Sequence, residues 1–194
     1  IFCLIHSWKF TEHEQLVAEW CRKAGFLNVF CSHEVSYQPN FLKRSYLTVI
    51  DAGLSPLISH IQNNFIKNLN DLKVRKHWFM KSDAGLCSIG NFRGCNSLLS
   101  GPCGGVTALS KFFTDNLPLI GFDMGGTSSD VTRFDGEVDI SLDHTIDGLP
   151  MHIPQVNIET VANGGGSILS IEDGLLKVGP ESSGSYPGPL CYGF

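Results

Sequence analysis

The chain changes texture near residue 77: before it, apolar residues recur mainly at helical spacing, and after it they come in short runs broken by glycine. Residues 1–5 read as a buried strand. Thr11 with Glu14 three positions on forms a capping-box signature, opening an amphipathic helix that runs to Lys23 with Leu16, Val17, Trp20 and Ala24 on one face. Gly25 ends it, residues 28–31 form a second short strand, and residues 46–69 give a long helix disturbed at Ser55-Pro56. From His77 the pattern predicts a strand over 77–81, a loop through Ser82, Asp83, Ala84 and Gly85, and a turn feeding a helix that reaches about Phe113. A buried strand over 117–122 then runs into a glycine turn. Strands over 131–134 and 138–142 are joined by Asp135-Gly136, a strong hairpin signal. Two segments follow: residues 1–76 as a partial α/β piece completing a first lobe, and 77–194 as a partial second lobe.

Composition narrows the partners. A net charge of -5 without a lysine or arginine cluster argues against nucleic acid, so the expected ligand is a small molecule. The opening apolar run is broken by His6 and Lys9, far short of the roughly 20 residues a bilayer requires, so neither a signal peptide nor a membrane anchor is expected. The chain reads as incomplete at both ends. Seven scattered cysteines without a C-x-x-C pair are expected to be reduced, buried thiols in a cytoplasmic protein, and the histidines (His6, His13, His33 and His60 in the first half) match no zinc spacing.

Chemistry concentrates in the run Asp123-Met124-Gly125-Gly126-Thr127-Ser128-Ser129-Asp130. A phosphate chain needs peptide N–H groups in one concavity, and only glycine lets the main chain come close enough to provide them. Gly125, Gly126 and Thr127 are therefore assigned to phosphates, with Ser128 adding a hydroxyl. Asp123 and Asp130 bracket the turn as catalytic candidates, and Asp123 is the expected Mg²⁺ contact. A tight β-turn with capping aspartates is the plainer reading. Gly164, Gly165 and Gly166 form a second glycine cluster, expected to be a second backbone cradle for the same polyanion. Ser167 beside it would contact phosphate or cap a helix.

Four ordered motifs resemble the hydantoinase A/5-oxoprolinase family: Leu99-Ser-Gly-Pro-Cys-Gly-Gly-Val106, Leu119-Ile-Gly-Phe-Asp-Met-Gly-Gly-Thr-Ser-Ser-Asp-Val131, Val161-Ala-Asn-Gly-Gly-Gly-Ser167 and Val178-Gly-Pro-Glu-Ser-Ser-Gly-Ser-Tyr-Pro-Gly-Pro-Leu-Cys-Tyr192. The resemblance implies an α/β fold of the actin, sugar-kinase and heat-shock-chaperone (ribonuclease H-like) type, with a mixed sheet and a phosphate-binding hairpin. It implies an ATP- and Mg²⁺-dependent hydrolase that opens a cyclic amide, 5-oxoproline to glutamate or a hydantoin, by phosphorylating the ring carbonyl. It further implies a homo-oligomer or a complex with a hydantoinase B-type partner or domain. The alternatives are a subunit of an ATP-dependent ketone carboxylase and an inactive structural fragment, because the first lobe's phosphate hairpin is absent from these residues. Ala84, Cys103 and Asn163 depart from the family pattern, which has glycine, alanine and alanine at these places.

Overall fold

The computed structural model describes residues 1–71, 74, 76–114, 117–146, 148–184 and 186–193. The chain is mixed α/β and divides into two compact units, residues 1–101 with 140–156, and 102–139 with 157–194. The boundary at 76/77 falls inside the first of these, because residues 140–156 return to join it.

In the first unit, helices α1 (Glu12–Lys23), α2 (Ser32–Val35) and α3 (Phe41–Asp71) precede a two-residue hairpin of β1 (Phe79–Met80) and β2 (Leu86–Cys87). Strands β5 (Ile140–Ile146) and β6 (Leu149–Val156) form a second antiparallel pair. The core is Leu47 of α3, Cys95, and Met151 and Ile153 of β6, with Val35, Ile50 and Leu98 packed on it. Pro56 lies within α3, which continues through it; Ser55 Oγ donates to Asp51 O. Gly94 explains how the segment after β2 reaches α3: an added Cβ would lie 2.8 Å from both Asp51 O and Leu54 Cβ.

Several expectations here give way to one buried polar network. The strands expected at 1–5 and 28–31 reduce to a single parallel bridge, Phe2 to Cys31, with Ile1 and Ile5 exposed. Thr11 makes no side-chain cap bond and is itself helical in backbone conformation, and the Glu14 side chain turns inward instead of back to the helix start. Glu14 Oε1 accepts from Leu4 N–H at 2.8 Å and Ser32 Oγ at 2.7 Å, while Oε2 accepts from His33 N–H at 3.1 Å and meets His33 Nδ1 at 2.7 Å. Burial raises the Glu14 carboxyl pKa, but bonds from Ser7, His33, Ser32 and the Leu4 amide outweigh it and hold the group down at about 2. Arg44, also fully buried, donates to Ser32 Oγ, Gln38 O and Leu4 O. The buried stripe of α1 is consequently Glu14 and Ala18, and Leu16 and Trp20 of the expected apolar face are exposed.

In the second unit, α4 (Ser100–Ser110) leads to β3 (Leu119–Met124) and β4 (Ser129–Phe134), paired over their full length as an antiparallel hairpin. Strand β7 (Glu159–Val161) adds to the free edge of β4, and β8 (Ser167–Glu172) pairs with β9 (Leu175–Ser182) as a separate ribbon. The Asp135-Gly136 hairpin is not formed as expected. Phe134 and Val138 make only an isolated bridge there, and the strand beyond it pairs with β6. Phe113 and Phe134 pack edge to face with centroids 5.3 Å apart, and Cys103 and Val106 are the buried residues of α4. Alternate positions of β3 (Ile120, Phe122 and Met124) are exposed, so the strand expected to be buried shows an uncovered apolar face.

Candidate functional site

The β3–β4 turn is where the second unit concentrates unspent polar groups. Gly125 N–H donates to Ser128 O at 2.8 Å, closing a tight four-residue turn. The next three amides, of Gly126, Thr127 and Ser128, donate to nothing among the described residues, and Gly126 and Thr127 are exposed. Consecutive free N–H groups in a turn are the elementary material of an anion cradle.

What holds that turn is the triple glycine. Gly165 N–H donates to Gly125 O at 2.9 Å and Gly166 N–H to Gly126 O at 2.7 Å. Gly164 N–H is taken by Ser167 Oγ at 2.8 Å, and Ser183 N–H donates to Gly166 O. All three amides expected to form a second cradle are therefore engaged inside the protein, and the segment serves as a clamp on the first turn. No side chain fits at its centre: a Cβ on Gly164 would lie 2.6 Å from Gly125 O and 2.7 Å from Gly126 C. Ser129 Oγ reinforces the clamp by donating to Asn163 O at 2.6 Å. Ser167 opens β8 and caps no helix.

Asp123 and Asp130 face each other across β3 and β4 in direct register. Both line a cleft of about 330 Å³ between α4 and the hairpin, whose apolar walls include Val106, Leu109 and Phe122. Gly105 lets α4 approach, since a Cβ there would come 3.4 Å from Asp123 Oδ2. Asp130 Oδ1 accepts from Thr160 Oγ1 at 2.7 Å, which leaves its other oxygen uncommitted. Two carboxylates on one face, beside a hydroxyl and free amides, are hard oxygen donors of the kind Mg²⁺ takes.

The sequence reading missed a group in the first unit. One ligand atom each from Glu14, Cys31 and His33 lies within 4.8 Å of the others, at spacings no zinc motif has. The Glu14 carboxylate already takes contacts at both oxygens, and burial, followed by the Glu34 and Glu14 charges, pushes the Cys31 thiol up to about 11. A neutral thiol beside a saturated carboxylate is a network member, not a cation site. The seven cysteines form no disulfide with one another, and only Cys31, Cys95 and Cys103 are buried. Ser185 of the Ser185-Tyr186-Pro187 stretch lies outside the described residues. No helix among the described residues is long and apolar enough to cross a membrane.

Comparison with known proteins adds the following. Residues 44–194 match the family model described as hydantoinase/oxoprolinase. A 5-oxoprolinase of Dictyostelium discoideum is 42% identical over 207 residues, covering 97% of this chain and 16% of that protein. The nucleotide-free structure of an acetone carboxylase, from work on ATP-dependent acetone carboxylation, superposes with a TM-score of 0.82 at 26% identity, covering 98% of this chain and 28% of the other. The crystal structure of an ATP-dependent caprolactamase from Pseudomonas jessenii superposes with a TM-score of 0.67 at 31% identity, covering 98% and 29%. The chain thus spans less than a third of the length of each of these proteins.

Proposed function

Because the chain belongs to the hydantoinase/oxoprolinase family, we propose that it supplies one phosphate-gripping lobe of an enzyme that opens a cyclic amide with the help of ATP. The observation that carries this reading is the run of three unspent amides at Gly126, Thr127 and Ser128, held in place by hydrogen bonds from Gly165 and Gly166.

The reaction needs such a site. A lactam carbonyl is a poor electrophile because its nitrogen lone pair is delocalised into it. Bound ATP would supply the phosphoryl group that, placed on the carbonyl oxygen, removes this resonance; water would then add to the ring carbon, the C–N bond would break with the nitrogen leaving as the amine, and a second water would hydrolyse the resulting acyl phosphate to carboxylate and phosphate. The chain's own part is positioning and charge. The amides of residues 126–128 would bind terminal phosphate oxygens, the Thr127 and Ser128 hydroxyls would donate to the same anion, and Asp123 and Asp130 would hold Mg²⁺ through their oxygens.

The substrate class follows from the 5-oxoprolinase relative: a five-membered lactam such as 5-oxoproline. A second reading, ATP-dependent activation of a ketone, draws on the higher TM-score of the acetone carboxylase, while the higher identity of the 5-oxoprolinase favours the lactam. A complex with a further subunit or domain of hydantoinase B type, and residence in the reducing cytoplasm to suit seven cysteines that form no disulfide with one another, complete the proposal.

The test is ring opening of 5-oxoproline by the active protein, followed with and without Mg-ATP, in the parent and in Asp123→Ala. ATP-dependent opening that falls at least about a hundredfold in the variant is expected. Full activity in Asp123→Ala removes the assigned site, and acetone consumption without ring opening selects the carboxylase reading.

A further inference from the structure

Away from the hairpin, the first unit holds a cleft of about 330 Å³, at the small end of the range for small-molecule sites. Glu34 of α2, the turn Lys81-Ser82-Asp83, Arg93 and two asparagines, Asn91 and Asn96, line it together with β6. Its floor is fixed through Ser82. That residue's N–H and Oγ both reach Asn96 O, at 2.9 and 2.8 Å, its Oγ accepts from Leu99 N–H, and its carbonyl accepts from Val156 N–H.

Four charged side chains line the cleft, and two cancel internally: Lys81 Nζ lies 2.6 Å from Asp83 Oδ2. The other two, Arg93 and Glu34, keep their hydrogen-bonding capacity, although Arg93 is ion-paired with Asp51. The Arg93 guanidinium makes no hydrogen bond among the described residues. Its ion-pair partner, Asp51 Oδ2, is 3.6 Å from Nη1, too far for a hydrogen bond, and that fully buried oxygen has no hydrogen-bond partner of its own. The Glu34 side chain is exposed and pairs with no cation among the described residues. One guanidinium with unused N–H donors, one carboxylate without a cation partner among the described residues and two asparagine amides line the cleft, whose four charged lining side chains sum to zero. That balance disfavours polyphosphates and bare metal ions, and it suits a ligand carrying charges of both signs.

We propose that this cleft binds a free α-amino acid, its carboxylate on the Arg93 guanidinium and its ammonium on Glu34. Arg presents the planar fork that matches a carboxylate, and the asparagine amides can take the remaining donors and acceptors. Cys95, at the edge of the cleft, is buried beside Asp51 and stays a neutral thiol, so binding is non-covalent. The proposal goes beyond ATP-dependent ring opening and stands on the first unit alone. It also has a chemical tie to that reaction, because opening any lactam liberates an amine and a carboxylate on one molecule.

Isothermal titration of the chain with L-glutamate tests it, beside N-acetyl-L-glutamate, which lacks the ammonium, and L-isoglutamine, which lacks the α-carboxylate. L-Glutamate is expected to bind, and each blocked analogue at least about tenfold more weakly, as the loss of a charge-assisted hydrogen bond requires. Arg93→Gln and Glu34→Gln should each weaken L-glutamate by a similar factor, and Glu34→Gln should erase the preference over the N-acetyl compound. Glu34 bears no structural side-chain bond, so its variant keeps the fold, verified by circular dichroism. Absence of binding at millimolar L-glutamate, equal binding of the three compounds, or parent-like affinity in both variants overturns the proposal. A Mg-ATP titration of the same samples separates this outcome from failure of the phosphate site.

Discussion

Asp123 and Asp130 are direct cross-strand partners, so two carboxylates stand side by side at the end of the hairpin that carries the free amides. Like charges directly opposite each other in an antiparallel pair destabilise it by about 0.2–1 kcal/mol, a cost that a bound cation would offset. Asp130→Asn keeps an oxygen for the Thr160 hydroxyl while removing the repulsion. It should raise the chain's resistance to urea by a few tenths of a kcal/mol and weaken Mg-ATP binding at least about tenfold. A variant that loses stability without losing nucleotide affinity would show the pair to be purely structural.

Gly164→Ala tests the clamp. The new methyl would sit 2.6 Å from Gly125 O and 2.8 Å from Gly126 O, with no flexible side chain in the way to yield. The two turns must separate, at a cost of roughly 1–3 kcal/mol. Hydrogen exchange should show faster exchange of the Gly165 and Gly166 amides, with the network around Glu14 unaffected, because that network lies in the other unit.

Glu14 makes the first unit sensitive to acid. Its folded pKa of about 2 lies below the ordinary 4.5, so its stabilising contribution is complete above pH 4.5 and is lost as the pH falls towards 2. The contribution is on the order of 3 kcal/mol. Denaturation at a series of pH values should show stability falling across that window, and Glu14→Gln should flatten the profile there while lowering stability at neutral pH.

Ala84 occupies the left-handed region, at φ 59°, in the turn between β1 and β2. Ala84→Gly should relieve strain worth about 1 kcal/mol and raise the melting temperature by a few degrees. A lower melting temperature would mean that the turn is not strained.

The hairpin was legible because its signals are local: alternating strands flanking a run with two glycines leave little choice of geometry. The clamp was only half legible. Two glycine clusters in one half-chain signalled a joint role, but the sequence could not show that Gly165 and Gly166 spend their amides on Gly125 and Gly126 and leave none for a ligand. Glu14 illustrates the opposite error, a local capping rule overridden by four distant donors that a buried carboxylate satisfies better than a helix start does. The Asp135-Gly136 turn was misjudged for a related reason: the strand after it found a longer partner in β6, and pairing along a whole strand outweighs turn preference. The Arg93 cleft left no motif, since its charges come from α2, a hairpin turn and the extended backbone at Arg93, which only the fold brings together.

The loop-on-loop contact has an electronic consequence. The carbonyl of Gly125 and the N–H of Gly126 belong to one peptide group, as do the carbonyl of Gly126 and the N–H of Thr127. Each group accepts a bond at its oxygen and keeps its hydrogen unused. Electron density drawn towards the oxygen leaves that hydrogen more positive, strengthening it as a donor by about 10–30% per bond. The triple glycine thus acts on a bound anion from behind, by polarising the peptides that touch it, and because peptide groups do not titrate, that effect is the same at any physiological pH.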